Sequence, residues 1–200
     1  MNYLVGEKRV KRIKEVLLRK QKDLRIFLDR VKNYHNASAI VRTADAVGVL
    51  YVYYTYEGYL PINEGISLGA EKWVEIIKVE DARSFLSNLR EKGFSIYVTF
   101  LGENTVDYRD VDYTQKTLLV FGNEKEGVSE EILEYATAFI KIPMLGMVRS
   151  LNVSVSAGIV LYEAMRQREK AGLYSRPSLS QEEIGSYLKK WTIDRVLRRR

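Results

Sequence analysis

Residues 147–160 read MVRSLNVSVSAGIV. Leu151, Val153 and Val155 alternate with Asn152, Ser154 and Ser156, which is the period of a half-buried strand. The flanks disagree with that reading. AFIKIP at 138–143 is itself apolar enough for a strand, and LYEAMRQREK at 161–170 has the composition of a helix. A row of hydroxyl and amide groups between two apolar elements is either an amphipathic strand, or a loop and helix start that display those groups to a ligand. The choice sets how the second half of the chain folds.

Upstream, the pattern alternates between strand and helix. GEKRVKRIKEVLLRKQ (6–21) carries Val10, Ile13, Val16 and Leu17 at helical spacing. DLRIFLDRV (23–31) reads as a strand and HNASAIVRTADAVG (35–48) as a helix, with Asn36 able to cap it and Gly48 able to end it. VLYVYYTY, WVEIIKV, FSIYVTF, KTLLVFG and AFIKIP are further strands, rich in β-branched and aromatic residues. Helices are expected from Asp81 to Gly93, over SEEILEYA with Ser129 as cap, and after Ser180, where Glu183 completes a capping box. Strands alternating with helices predict an α/β fold, a mostly parallel sheet with helices on both faces. Ligands of such sheets sit beyond the carboxyl ends of the strands, which points to the loops after Phe100, Phe121 and Ile142.

With 200 residues and 46% hydrophobic content, the chain is expected to form a single domain, residues 1–200, able to bury its own core. No apolar run approaches the ~18 residues of a membrane span, and no signal-peptide pattern opens the chain, so no membrane partner and a cytoplasmic location are expected. Cysteine is absent and His35 is the one histidine, which excludes disulfides, thiolate sites and multi-histidine sites; no structural metal is expected. Charge is segregated. Residues 1–32 hold 11 Lys/Arg against 4 Asp/Glu, and residues 166–200 hold 10 against 4, although the net charge is only +6. An acidic body with two basic ends fits a polyanion partner, of which a nucleic-acid backbone is the commonest.

Several motifs compete for the chemistry. GISLG at 65–69 matches the G-x-S-x-G nucleophile elbow, but LPINE before it is a poor strand and the histidine lies upstream, so a Ser-His-Asp order cannot be built. GNEKEG at 122–127 has strand–loop–helix context, and its two glycines would let backbone approach a ligand. At ~100° per residue, Ala37, Ile40, Val41, Ala44 and Val47 make one apolar stripe, with Arg42 opposite beside Ser38 and Asp45. That places Arg42 toward either a substrate or plain solvent, where Asp45 is a possible partner; His35 reads as a turn residue.

Three segments taken together are more specific. NASAIVRTADAVGV, LVFGNEKEGVSEEIL and IPMLGMVRSLNVSVSAGIVLYEAMRQR resemble, in order and spacing, the three motifs of the SpoU/TrmH group of SPOUT RNA methyltransferases. The resemblance covers roughly residues 24–168, and leaves basic helical extensions over about 1–22 and 169–200. It implies a deep C-terminal trefoil knot, S-adenosylmethionine as methyl donor, a homodimer, and methylation of a ribose 2′-hydroxyl. On matching positions it implies Asn36, Arg42, Glu124, Ser150 and Asn152 as catalytic residues. Leu101, Gly122, Asn123, Ile142, Met144 and Leu151 would bind the cofactor, with Gly127 also in the second motif. The basic ends around this core are similar to those of family members that methylate guanosine 18 in the D-loop of tRNA. The alternatives are another RNA site, such as the tRNA wobble ribose or ribosomal RNA, and a non-catalytic RNA-binding module. Lys8, Arg9, Lys11, Arg12, Arg19, Arg166, Arg168 and Arg176 are expected to contact tRNA phosphates.

The resemblance assigns Arg42 the removal of the hydroxyl proton. A guanidinium with a pKa above ~12 stays protonated, so a phosphate clamp beside the target ribose is the preferred role. In this context MVRSLNVSVSAGIV becomes a cofactor loop leading into a helix that starts near Ser150. Its expected buried stripe is Leu151, Val155, Gly158, Ile159 and Tyr162.

Overall fold

The computed structural model describes residues 6–197, with side chains through Ile193. Residues 1–5 and 198–200, which belong to the expected basic extensions, lie outside the described residues. Seven strands form one sheet: β1 Gln21–Asp29, β2 Val49–Thr55, β3 Glu75–Lys78, β4 Ser95–Thr99, β5 Thr105–Asp107, β6 Thr117–Phe121 and β7 Ala138–Lys141. Their spatial order is β3-β2-β1-β6-β4-β7-β5, and every pairing is parallel. Strand β5 has no sequence signature, being three residues long; it exists because the edge of β7 pairs with it.

Helices cover both faces: α1 Glu7–Leu17, α2 Tyr34–Ala46, α3 Glu64–Ser67, α4 Ala82–Glu91, α5 Glu130–Leu133, α6 Val153–Lys170 and α7 Gln181–Leu197. Helices α2 and α6 pack on one face over Leu24, Ile26, Leu28 and Leu119. On the other face α4 and α5 pack over Phe27, Ile96, Leu118 and Val120. All five residues of β6 are buried, as expected of a central strand covered twice. The stripe Ala37, Ile40, Val41, Ala44 and Val47 is buried as its spacing predicts.

The two basic ends of the chain come together. Ile13 and Leu17 of α1 pack with Ile184 and Trp191 of α7, and Leu50 of β2 anchors the cluster. The capping box forms: Ser180 N–H donates to Glu183 Oε2 at 2.6 Å, and Glu183 N–H donates to Ser180 Oγ at 3.1 Å. Behind this cluster Tyr174 donates its hydroxyl to Val47 O at 2.6 Å, and burial pushes its pKa up to about 12. A phenol whose folded pKa is raised favours the fold below its unfolded value near 10 and loses that contribution as pH rises toward about 12. Unfolding followed by near-ultraviolet dichroism is expected to show stability falling across that window, with a shallower fall in Tyr174→Phe.

Four local expectations are corrected. Helix α2 is capped by Asn33, whose Oδ1 accepts from His35 N–H at 2.9 Å; Asn36 lies inside the helix, buried. Asp45 pairs with buried Lys20 at 2.8 Å instead of Arg42. Ser129 stands at the start of α5 without making a side-chain cap bond. The opening stretch is a loop and helix, but α6 starts at Val153 with Asn152 as its cap. Its buried face also differs from the expected one, being made of Ala157, Val160, Leu161, Ala164 and Arg168, while Val155 and Tyr162 are 49% and 51% exposed.

Candidate active site

The loops after β4, β6 and β7 meet at the carboxyl ends of these strands and enclose a cavity of about 680 Å³. Leu101, Gly122, Asn123, Ile142, Met144 and Leu151 all line it, so the six residues expected to hold a cofactor share one wall system. Tyr108, Lys125, Val153 and Ser156 also line it and were missed. Tyr108 follows the short strand that sequence could not show, and Ser156 required the true phase of α6.

Backbone geometry shapes the second loop. Asn123 and Gly127 exchange N–H···O bonds at 3.0 and 2.9 Å, closing a tight turn, with Gly127 at φ 70°. The Asn123 side chain accepts from the N–H groups of Lys125 and Glu126 and donates to Arg30 O at 2.9 Å. A Cβ on Gly122 would lie 2.4 Å from the Gly127 carbonyl carbon and 2.5 Å from Val128 N. Neither backbone atom can yield locally. Gly122→Ala is therefore expected to cost about 1–3 kcal/mol of stability. It should also weaken cofactor binding about tenfold or more, read by thermal unfolding and calorimetry.

Four of the five expected catalytic residues gather at this cavity. Glu124, Ser150 and Asn152 line it. Asn36, 6% exposed, lies behind them and links two of them. Its Nδ2 donates to Glu124 Oε1, and its Oδ1 accepts from Asn152 Nδ2 at 3.0 Å. Asn152 Oδ1 in turn accepts from Ser154 N–H and hydroxyl at 2.8 and 2.6 Å. Each carboxamide is thereby oriented by its neighbours, leaving the rest of the Glu124 carboxylate facing the cavity.

Arg42 stands apart. It is exposed on α2 past Asn36, its Nη1 is 3.5 Å from Ile66 O, and it is not among the cavity-lining residues. His35 is exposed and lies tilted against Tyr34 with ring centroids 4.2 Å apart. The GISLG serine, Ser67, ends the short helix α3 with no strand before it and donates to Glu71.

Of the expected phosphate contacts, Lys8, Lys11, Arg12, Arg19, Arg166 and Arg176 are exposed. Arg9 is half-buried, its guanidinium 5.9 Å from the Trp73 ring centroid. Arg166 makes a two-pronged bond to Glu163 at 2.8 and 2.7 Å, which holds that carboxyl below its ordinary pKa. Arg168 is corrected: its side chain is 0% exposed and cannot reach a phosphate. It donates to Asp23 Oδ1 at 2.7 Å, Gln21 Oε1 at 2.9 Å, Tyr113 O at 2.8 Å and Gln115 O at 2.7 Å. In place of a surface contact, Arg168 knits the end of α6 to the start of β1 and the segment before β6.

A doubly covered parallel sheet with a ligand cavity at its carboxyl edge, walled by three loops and fronted by an oriented carboxylate, is the arrangement of an α/β enzyme. The chain belongs to the SpoU rRNA Methylase family, whose model matches residues 23–162. It is 57% identical over 202 residues to the tRNA (guanosine(18)-2'-O)-methyltransferase of Aquifex aeolicus, covering 100% of this chain and 96% of that protein. The Thermus thermophilus protein of the same name is 50% identical over 92% of this chain and 96% of its own length. The crystal structure of the A. aeolicus TrmH/SpoU tRNA modifying enzyme superposes with a TM-score of 0.92, covering 96% of this chain and 99% of that one. The SpoU methyltransferase AviRb from Streptomyces viridochromogenes, solved with AdoMet, is 28% identical with a TM-score of 0.66 over 75% of this chain and 62% of its own.

Proposed function

We propose that this protein methylates the ribose 2′-hydroxyl of guanosine 18 in the D-loop of tRNA, using S-adenosylmethionine. The observation that carries the reading is the hydrogen-bonded row Asn152–Asn36–Glu124, with Asn152 and Glu124 in the cavity wall and Asn36 behind them. The similarity to the Aquifex and Thermus enzymes over almost their whole lengths supports the substrate. The cavity suits the cofactor. Leu101, Ile142, Met144 and Leu151 offer apolar walls for a flat purine, and the Glu124 carboxylate is placed to face a cationic sulfonium.

Bound there, the cofactor supplies an electrophilic methyl group. The chain's residues then orient the ribose: Ser150 and Asn152 lie beside the cavity with hydroxyl and amide groups, and Asn36 fixes both Asn152 and Glu124. Most of the rate enhancement on this reading comes from holding the oxygen in line with the methyl carbon, with the hydroxyl proton released to solvent. Arg42 acts as a bidentate clamp on a phosphate beside that ribose, which agrees with its exposure and its place outside the cavity lining. Arg42→Lys is expected to lower turnover about tenfold, because an ammonium cannot reproduce the fork; unchanged single-turnover rates would remove the bidentate role.

The remaining proposals concern assembly. Leu145, Met147, Val148, Val155 and Tyr162 are exposed apolar side chains on one loop and the outward face of α6, which suits a homodimer contact. A knotted passage of the chain after β7, a single domain over 1–200 and a cytoplasmic location complete the reading; no helix among the described residues is long and apolar enough to cross a membrane. The joined α1 and α7 present Lys8, Lys11 and Arg12 to tRNA, with Arg19 just beyond α1 and Arg176 just before α7. Contacts of this kind predict tRNA affinity falling about 100-fold between about 50 and about 200 mM salt. Labelled S-adenosylmethionine and unmodified tRNA, followed by mapping of the modified nucleotide, test the whole reading. Label in the ribose of guanosine 18 is the expected result, and no incorporation into any RNA overturns it.

A further inference from the structure

The segment from the end of β1 to the start of α2 holds the 122–129 loop at several points, and two of the residues that do so belong to no motif. Asp29, the last residue of β1, is 1% exposed. Its Oδ1 accepts from Thr55 Oγ1 at 2.8 Å, and its Oδ2 accepts from the backbone N–H of Ser129 at 2.7 Å. Ser129 makes no side-chain cap bond at the start of α5, so the exit of the loop is fastened from outside by Asp29. Arg30 follows with φ 53°, in the left-handed region that non-glycine residues seldom adopt. Its carbonyl accepts from Asn123 Nδ2 at 2.9 Å, at the loop's entrance. Its Nη1 donates to Glu126 Oε2 at 2.7 Å, at the loop's crest.

We infer that Asp29 and Arg30 are positioning residues for the cofactor, a bracket that fixes the entrance, crest and exit of the loop carrying Gly122, Asn123 and Glu124. This rests on the cofactor reading proposed above. The left-handed turn at Arg30 follows from the geometry: Asp29 is directed inward to Ser129 while the next carbonyl faces Asn123. Neither residue lines the cavity, so the effect on the cofactor passes through the loop.

The test compares Asp29→Ala with Thr55→Val. The first removes both acceptor oxygens and so releases the Ser129 tie. The second removes the hydroxyl that bonds Asp29 and the Arg30 N–H, and leaves the Ser129 tie in place. Calorimetry with S-adenosylhomocysteine is expected to show affinity about tenfold weaker in Asp29→Ala and near wild type in Thr55→Val, although both melt earlier. Arg30→Ala, which keeps the carbonyl acceptor but loses the Glu126 bond, is expected to fall between them. Affinity for tRNA without cofactor should be unchanged in all three. Wild-type cofactor affinity in Asp29→Ala, or an equal loss in Thr55→Val, overturns the bracket. Wild-type protein that binds neither S-adenosylmethionine nor its demethylated product would instead overturn the cofactor reading on which it rests.

Discussion

Asn36→Ala is expected to lower single-turnover methyl transfer by about 100-fold, the scale of loss that follows when reacting groups are displaced by about 1 Å. The buried carboxamide joins Asn152 to Glu124, and truncation frees both at once. Alanine is a good helix former, so α2 itself should persist. Asn36 bonds the Glu124 side chain and not the backbone of the 122–129 loop, so the loop keeps its shape and cofactor affinity should change much less than the rate. The measurement is the rate of label transfer to tRNA at saturating cofactor, beside a calorimetric titration of the cofactor. A rate within about threefold of wild type, or a loss confined to cofactor binding, would mean that the row of amides does not organise the reacting groups.

Arg168→Leu is expected to act on stability and not on tRNA contact. Removing one partner of a buried ion pair costs about 3–5 kcal/mol. The lower end is favoured because Asp23 is 34% exposed and can be rehydrated. Three backbone carbonyls and the Gln21 side chain would also lose a donor. For a chain of this size the melting temperature should fall by roughly 6–20 °C. Thermal unfolding by circular dichroism, compared with Arg176→Leu, separates the roles. Arg176 is exposed, so its replacement should weaken tRNA binding and leave the melting temperature nearly unchanged. The reverse pattern would restore Arg168 to the RNA surface.

The same two residues show where sequence reading succeeds and where it stops. Arg166 and Arg168 look equivalent in LYEAMRQREK, both in a basic helix end. Two positions along a helix turn a side chain by about 200°, so one faces solvent and the other the core. Which is which depends on the face of α6 that packs against α2 and the sheet, a contact between segments distant in sequence. The stripe of α2 was legible because five apolar residues fix its phase without help. The stripe of α6 was not, because Val155, Ile159 and Tyr162 offer an equally regular apolar row on a face that the monomer leaves uncovered or half-covered.

The sequence by itself determined the alternation of strands and helices and the three strand-end loops, and its resemblance to a family picked out six of the residues that line the cavity. Each of those rests on short-range periodicity, on turn chemistry, or on motifs whose order along the chain is sufficient. Tertiary structure alone decided that the basic ends fold together, that β5 exists, that Asn36 links Asn152 to Glu124, and that Asp29 and Arg30 hold the loop. Hydrogen bonds in this fold join residues up to 161 positions apart, as in the Lys22–Glu183 bond. A hydrogen bond between distant segments leaves no periodic trace in either one, so only packing of the sheet and its helices can bring its partners into register.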